Sequence, residues 1–220
     1  AQGGELSGAP FDGMGIKKIV FQDCKVAGSM EGLFMGLGVE EIDLSGADTS
    51  MVTSMMSMFK GCSSLIVLEL SGLDTSGVKN MMSMFEGCSS LTGLELGNFD
   101  TSSVADMRYM FFGCSSLTGL ELGNFDTGIV TDMGYMFSSC HSLSKLYTPY
   151  NVRVSVELPA VSNAVWHLPD GTEVTELPQN LSTSVLLIRT PVITTTTEAL
   201  NMPDVIRVKY VPYSYTVRTD

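Results

Sequence analysis

Four carboxylates recur 26 residues apart along the middle of the sequence, and they are the residues most suggestive of binding chemistry: Asp43, Glu69, Glu95 and Glu121. Each stands between two apolar residues, as in Leu94-Glu95-Leu96. Alternate side chains of a strand point to opposite faces of a sheet. We therefore expect these carboxylates to form a stripe on the outer face of a sheet, and Tyr147 to continue it.

The stripe permits three interpretations. Stacked like charges repel, so we expect these carboxylates to raise one another's pKa. A stripe of neighbouring carboxylates could bind a basic ligand or a cation. It could also be a solvated acidic face that binds no ligand. The small residues beside them, Gly93 and Gly119 among them, predict a flat surface.

A second acidic column has the same period, and each member is followed by threonine: Asp48, Asp74, Asp100 and Asp126. An Asp-Thr pair before a helix is typical of N-terminal capping. Calcium between the turns is the alternative, because hard cations take several oxygen ligands. Asp106 and Asp132 are expected in the first turn of that helix, favoured by its dipole.

Thiol chemistry is not indicated. Four of the five cysteines form a column at the same period, and we expect them to be buried, reduced and packed as small hydrophobes: Cys62, Cys88, Cys114 and Cys140. His141 follows Cys140, but no third group supports a catalytic dyad. No phosphate loop or metal-binding spacing appears. The sequence therefore predicts neither an enzyme nor a cofactor or metal site.

These columns belong to a repeat whose clearest copy spans residues 87–111 and recurs from residue 113. Its phenylalanines lie 26 residues apart: Phe59, Phe85, Phe111 and Phe137. A period in the twenties with an LxxLxL core is typical of leucine-rich repeats. Val104, Met107 and Met110 have helical spacing. We therefore predict an α/β leucine-rich repeat solenoid, with strand, turn and short helix in every 26 residues.

The predicted solenoid covers residues 33–147, with Leu33 in the phenylalanine column and Gly36 in the cysteine column. Residues 1–32 are expected to form a lead-in and an N-terminal cap, in which Ile16 and Lys18 stand one period before Ile42 and Leu44. Terminal repeats usually differ from the rest because they must close the core. Residues 148–190 are predicted as a β-rich C-terminal cap, and 191–220 as a linker with a terminal strand that could begin another module.

That last stretch carries alternating tyrosines. Tyr213 and Tyr215 share one face of a predicted strand. If exposed, they would form a stacking surface for a sugar or a peptide; if packed on the cap, they would be structural.

Charge limits the partners. The net charge is −12, from 24 acidic and 12 basic residues. This disfavours nucleic acid and an anionic membrane surface. No apolar run of about 18 residues appears, so no membrane insertion is expected. Because both ends look cut, we expect a piece of a longer protein, with any anchor outside it.

The repeat F-x-G-C-S-S-L-T-x-L-x-L-x-x-F-D-T-S-x-V-x-D-M-x-x-M resembles the BspA-like leucine-rich repeats of bacterial surface proteins, closest to the 26-residue variant of mycoplasma lipoproteins. The resemblance is clear over residues 59–146 and weaker back to residue 33. It implies an extracellular or cell-surface adhesion module that binds a host or neighbouring-cell protein. A carbohydrate- or wall-binding module, and a spacer without its own ligand, remain open alternatives.

Overall fold

The computed structural model describes residues 15–192, and Tyr213 and Tyr215 lie outside them. The chain winds into a β-solenoid of about five turns. Its strands are short, and the turns stack so that equivalent residues lie above one another. The predicted repeat solenoid is therefore confirmed.

The strands form three sheets. The first is parallel, in the order β1, β3, β5 (Lys18–Val20, Glu41–Asp43 and Val67–Glu69). The second pairs β2 with β4 (Cys24–Ser29 and Ala47–Ser54). The third has the order β6, β7, β10, β8, β9 (Gly119–Glu121, Lys145–Tyr147, Leu186–Pro191, Ala164–His167 and Glu173–Val174).

The short helix predicted in each turn is absent from residues 15–192. In a helix, these backbone N–H groups would bond to carbonyls of the same segment. Here, alternate N–H groups donate to carbonyls of the next solenoid turn: Met107 to Asp132, Tyr109 to Gly134 and Phe111 to Met136. Tyr109 also has a φ of 57°, outside the helical region. The predicted spacing of methionines is real, but tight turns rather than helices produce it.

A ladder of aromatic rings runs through the core. Neighbouring phenylalanines lie stacked with centroids 5.4 to 6.0 Å apart: Phe34, Phe59, Phe85, Phe111 and Phe137. The first member is Phe34, so the prediction that Leu33 occupies this column is wrong. That turn is one residue shorter between the two rings than its successors, which the repeat period could not reveal.

The N-terminal turn also departs from the predicted alignment. Ile19 pairs with Ile42, so Ile16 and Lys18 are not the equivalents of Ile42 and Leu44. The N-terminal turn has fewer residues than the repeat period. Register shifts between β2 and β4, after Lys25 and again after Gly28, compensate for the difference. Such irregularities insert extra residues into one strand while the rest of the ladder is kept.

The segment after the last turn closes the exposed edge of the solenoid. Strand β10 pairs antiparallel with β7, Leu187 opposite Leu146. Trp166 on β8 is buried, and its indole N–H donates to the carbonyl of Pro159 at 3.1 Å. Pairing removes an edge that would otherwise invite association. Within the described chain, no helix is long and apolar enough to cross a membrane.

Candidate functional site

The acidic stripe lies on the outer face of the strands at the same position of successive turns. Asp43 ends β3, Glu69 ends β5 and Glu121 ends β6, while Glu95 occupies the turn between. The three glutamates are exposed and Asp43 is half-buried. Tyr147 stands directly opposite Glu121 in the ladder and is 42% exposed. The structure thus brings together the predicted stripe residues that it describes.

The stripe divides into two halves with different chemistry. Asp43 accepts a hydrogen bond from the backbone N–H of Ser45 at 2.9 Å, and Glu69 one from Ser71 at 2.8 Å. Hydrogen bonds from the serine hydroxyl and then from the serine N–H hold the pKa of each carboxyl below its ordinary value. Our expectation that mutual repulsion raises these pKa values is therefore wrong for both, because hydrogen bonding to the charged form outweighs it.

The other half has no such partners. A serine stands two residues after each of the first two carboxylates, namely Ser45 and Ser71. A glycine stands at the same position after Glu95 and Glu121, namely Gly97 and Gly123. Neither Glu95 nor Glu121 makes a side-chain hydrogen bond or an ion pair with any residue that the structure describes. These two carboxylates are exposed and have their acceptor capacity free.

A groove of about 730 Å³ lies over this half of the stripe. Gly93 and Gly119 form part of its floor and have no side chains to fill it. Lys145 and Tyr147 line one end, in the last turn of the solenoid. The groove exists because four positions that could carry side chains are glycines: Gly93, Gly97, Gly119 and Gly123.

One wall of the groove comes from distant sequence. Ser184, just before β10, lies so close to Gly123 that a Cβ atom there would meet the serine Oγ at 3.3 Å. This Oγ is buried and has no hydrogen-bond partner within the described residues. Four residues that line the groove are not among those predicted from the sequence: Ser184, Asn124, Gly97 and Gly123. The change from serine to glycine after the carboxylates was the one signal that could have indicated the last two.

The sheet is interrupted beneath the groove. Strand β5 pairs only with β3 and β6 only with β7, so residues 93–95 join neither ladder. The side chain of Asn124 holds the end of this turn by donating to the carbonyls of Leu96 and Phe99, at 3.0 and 2.8 Å. The floor is thus positioned by side-chain bonds where strand pairing is lacking.

The groove can accommodate a cation beside an apolar surface. It carries two free carboxylates and one ammonium group, that of Lys145, which forms no ion pair within the described chain. Tyr147 adds an aromatic surface of the kind that favours a cationic side chain. This arrangement suits a lysine or arginine side chain presented by a partner.

The second acidic column serves the structure. Asp74 Oδ1 accepts from the N–H of Ser76 at 3.0 Å and from its hydroxyl at 2.6 Å, and Asp100 repeats this with Ser102. These are capping interactions, but they close turns instead of beginning helices. The adjacent threonines are buried and join the turns, as where the Thr75 hydroxyl donates to the carbonyl of Asp100 at 2.9 Å. Within residues 15–192, no three His, Cys, Asp or Glu side chains group as metal ligands.

The cysteine column is buried beside the phenylalanine ladder. Each thiol donates to the carbonyl of a phenylalanine in the preceding turn, as from Cys88 to Phe59 at 3.1 Å. Burial raises the pKa of Cys62 to about 11 and that of Cys140 to about 12. His141 is exposed, whereas its neighbour Cys140 is buried.

Repeated turns, stacked core columns and a groove on the outer sheet face define the class as a repeat solenoid with a surface cleft. The chain belongs to the family described as "Mycoplasma protein of unknown function, DUF285", whose model matches residues 28–150. Comparisons with curated proteins and with solved structures found no match.

Proposed function

We propose that this protein is a non-enzymatic binding module whose groove over Glu95 and Glu121 takes up a basic segment of a partner protein. The observation that carries this proposal is the contrast along one stripe. Two carboxylates are satisfied by nearby serines, while the two beneath the groove have no partner within residues 15–192 and have glycines two positions before and after them.

The charge of the groove and its aromatic residue both favour a basic partner. Free carboxylates attract basic partners over a distance and raise the rate of encounter. Tyrosine is a favoured anchor in interfaces, and Tyr147 is exposed at the end of the groove. Since the whole chain has a net charge of −12, electrostatic attraction would extend beyond the groove itself.

We place this module on the outside of a bacterial cell, where it would contact a host or neighbouring cell. Support comes from the likeness of its repeat to BspA-like leucine-rich repeats, carried by the F-x-G-C-S-S-L motif in three copies. Adhesion is the activity that this likeness suggests.

The test is a binding array of basic proteins and glycans, probed with the purified chain at moderate and at high salt. We expect binding to basic proteins that weakens with salt, since screening acts on exposed charges. Binding only to glycans, unaffected by salt, would overturn the proposal and favour a carbohydrate module. No binding to either class would overturn it in favour of a spacer.

A further inference from the structure

A second surface, outside the groove, carries a stacked pair of tyrosines, of which Tyr135 is exposed and Tyr109 is half-buried. The rings of Tyr109 and Tyr135 are stacked with centroids 5.2 Å apart and planes 11° apart. Tyr135 is 62% exposed, and no other aromatic ring of the described chain stacks on it. One face of the Tyr135 ring is covered by Tyr109, so the stack ends in an aromatic ring that residues 15–192 leave accessible.

The backbone at these tyrosines is unfavourable for bulky residues. Tyr109 and Tyr135 have φ angles of 57° and 58°, in the left-handed region. Such a conformation is uncommon for residues other than glycine, asparagine and aspartate. The equivalent positions of earlier turns hold the smaller Ser57 and Ser83, with the same sign of φ. Two consecutive turns therefore place large aromatic rings where small residues suffice for the fold.

A carboxylate accompanies each tyrosine. Ser54, Asn80, Asp106 and Asp132 form one bridged column. In each turn the side chain accepts from the N–H two residues on, at 3.0 Å in Asp106 and 2.8 Å in Asp132. Aspartate thus appears in this column only in the two turns that carry tyrosine, whereas serine or asparagine makes the same bond elsewhere.

The fourth turn, counted from the one that contains β1, shows how the aspartate of this column binds a guanidinium group. Arg108 Nη2 donates to Asp106 Oδ2 at 2.7 Å, and its Nε lies 3.1 Å from both carboxylate oxygens. In the fifth turn, Gly134 stands where Arg108 stood. A Cβ atom on Gly134 would meet only Asp132 Oδ1, at 3.1 Å, and its φ is not left-handed. Space and backbone would therefore admit a side chain there, yet none is present.

We infer that an arginine side chain of a partner protein binds the carboxylate of Asp132, as Arg108 binds that of Asp106 one turn earlier, and that it stacks on the open face of Tyr135. Charge favours this occupant. Arg108 bonds closely to Asp106 and forms a second, longer ion pair with Asp132 at 3.7 Å, so one positive charge is shared by two carboxylates and the group keeps a net negative charge. Guanidinium groups stack readily on aromatic faces and bind carboxylates in a planar fork.

The repeat itself supplies variants that should fold. Tyr135→Ser and Asp132→Asn introduce the residues that the third turn carries as Ser83 and Asn80. Gly134→Arg introduces the residue of the fourth turn, which would fill the position internally. Thermal unfolding would verify that each variant is folded. Glu121→Gln, which alters only the groove, is the matched control.

The experiment titrates the protein with N-acetylarginine amide, and separately with its neutral analogue N-acetylcitrulline amide, while following the backbone amide signal of residue 134 by NMR, which is glycine in all of these proteins except Gly134→Arg. We expect saturable shifts with arginine that weaken by about three- to tenfold in each of the three variants and persist in Glu121→Gln. No shift in the wild type, equal shifts with citrulline, or unchanged affinity in Asp132→Asn would overturn the inference. The groove hypothesis would be unaffected, since none of these residues lines it.

Discussion

Glu69 accepts a hydrogen bond from the N–H of Ser71 at 2.8 Å, and this contact has no counterpart at Glu95, the equivalent residue of the next turn. Gly97 occupies the repeat position that Ser71 occupies one turn earlier. The same repeat position is therefore an internally satisfied carboxylate in one turn and a free one in the next. The transition coincides with the edge of the groove, and it is the reason to expect that, within the acidic stripe, ligand binds at Glu95 and Glu121 and not at Asp43 and Glu69.

Filling the groove should abolish binding without unfolding the protein. A Cβ atom on Gly93 would meet no atom within 4 Å, and the residue has no left-handed φ, so Gly93→Trp should fit. We expect its melting temperature to stay within a few degrees of the wild type, and binding to basic proteins to fall by about tenfold or more, as the indole would occupy the ligand's space.

Gly38→Trp is the matched control for that variant. Gly38 is likewise open and free of left-handed backbone, but it lies outside the groove. Equal binding by the Gly93 variant and the wild type would contradict the assignment of the groove as the site.

The phenylalanine ladder should dominate stability. Phe85 is fully buried between Phe59 and Phe111, at centroid distances of 5.5 and 5.6 Å. Phe85→Ala should lower the free energy of unfolding by about 3–5 kcal/mol, measured by urea denaturation. Ile66→Ala, at a residue 58% exposed, should change it by less than about 0.5 kcal/mol. Similar effects of the two substitutions would argue against a core organised around the ladder.

Stability should fall in acid through the Asp-Thr column. Serine hydroxyls and then backbone N–H groups hold the pKa of Asp74 and Asp100 below the ordinary value of 3.8. A carboxyl with a lowered folded-state pKa contributes stability above its unfolded-state pKa, and this is lost as the pH falls through the folded-state value. We therefore expect the free energy of unfolding to drop as the pH is lowered from about 5 to about 2.

The matched test removes the hydroxyls. The double substitution Ser76→Ala and Ser102→Ala should flatten that pH dependence, because it removes the largest cause of the lowered pKa values. Ser142→Ala, at an exposed serine outside the column, should leave it unchanged. An unaltered acid profile in the double variant would show that other carboxylates account for acid sensitivity.

The thiols should differ sharply in reactivity. The thiolate is the reactive species, and the pKa of Cys62 is raised to about 11 by burial, with Cys88, Cys114 and Cys140 also raised. Burial also raises the pKa of Cys24, but Cys24 is the one cysteine that is not fully buried, so a reagent can reach it. A chromogenic disulfide reagent at pH 8 should modify Cys24 in the native protein and all five thiols in urea. Rapid modification of Cys62 in the native state would contradict the buried column.

The sequence was a good guide wherever one period governed both sequence and structure. Phe59, Phe85 and Phe111 lie above one another because a 26-residue repeat stacks equal positions. The helix prediction was wrong because Met107 and Met110 have a spacing that a left-handed turn at Tyr109 produces as well. Local periodicity cannot tell these two backbones apart, since the difference lies in which turn receives the amide hydrogen bonds.

The groove could not be predicted from the sequence, for a different reason. Its carboxylates were predicted, but its shape depends on glycines that leave space and on Ser184, which reaches Gly123 only after the chain has folded back along β10. Similarly, Leu33 was assigned to the phenylalanine column because the shortened turn before Phe59 disrupts the period. Insertions, deletions and long-range contacts are the features that a repeat period cannot encode.

The most direct test of the binding claim compares two double variants that change the net charge equally. The affinity of a decalysine peptide would be measured by calorimetry for Glu95→Gln with Glu121→Gln, and for Asp43→Asn with Glu69→Gln. We predict that the first pair weakens binding by about tenfold, while the second leaves it nearly unchanged because those carboxylates are already bonded to Ser45 and Ser71. Equal weakening by both pairs would show that overall charge, not the groove, attracts the ligand, and would contradict the account.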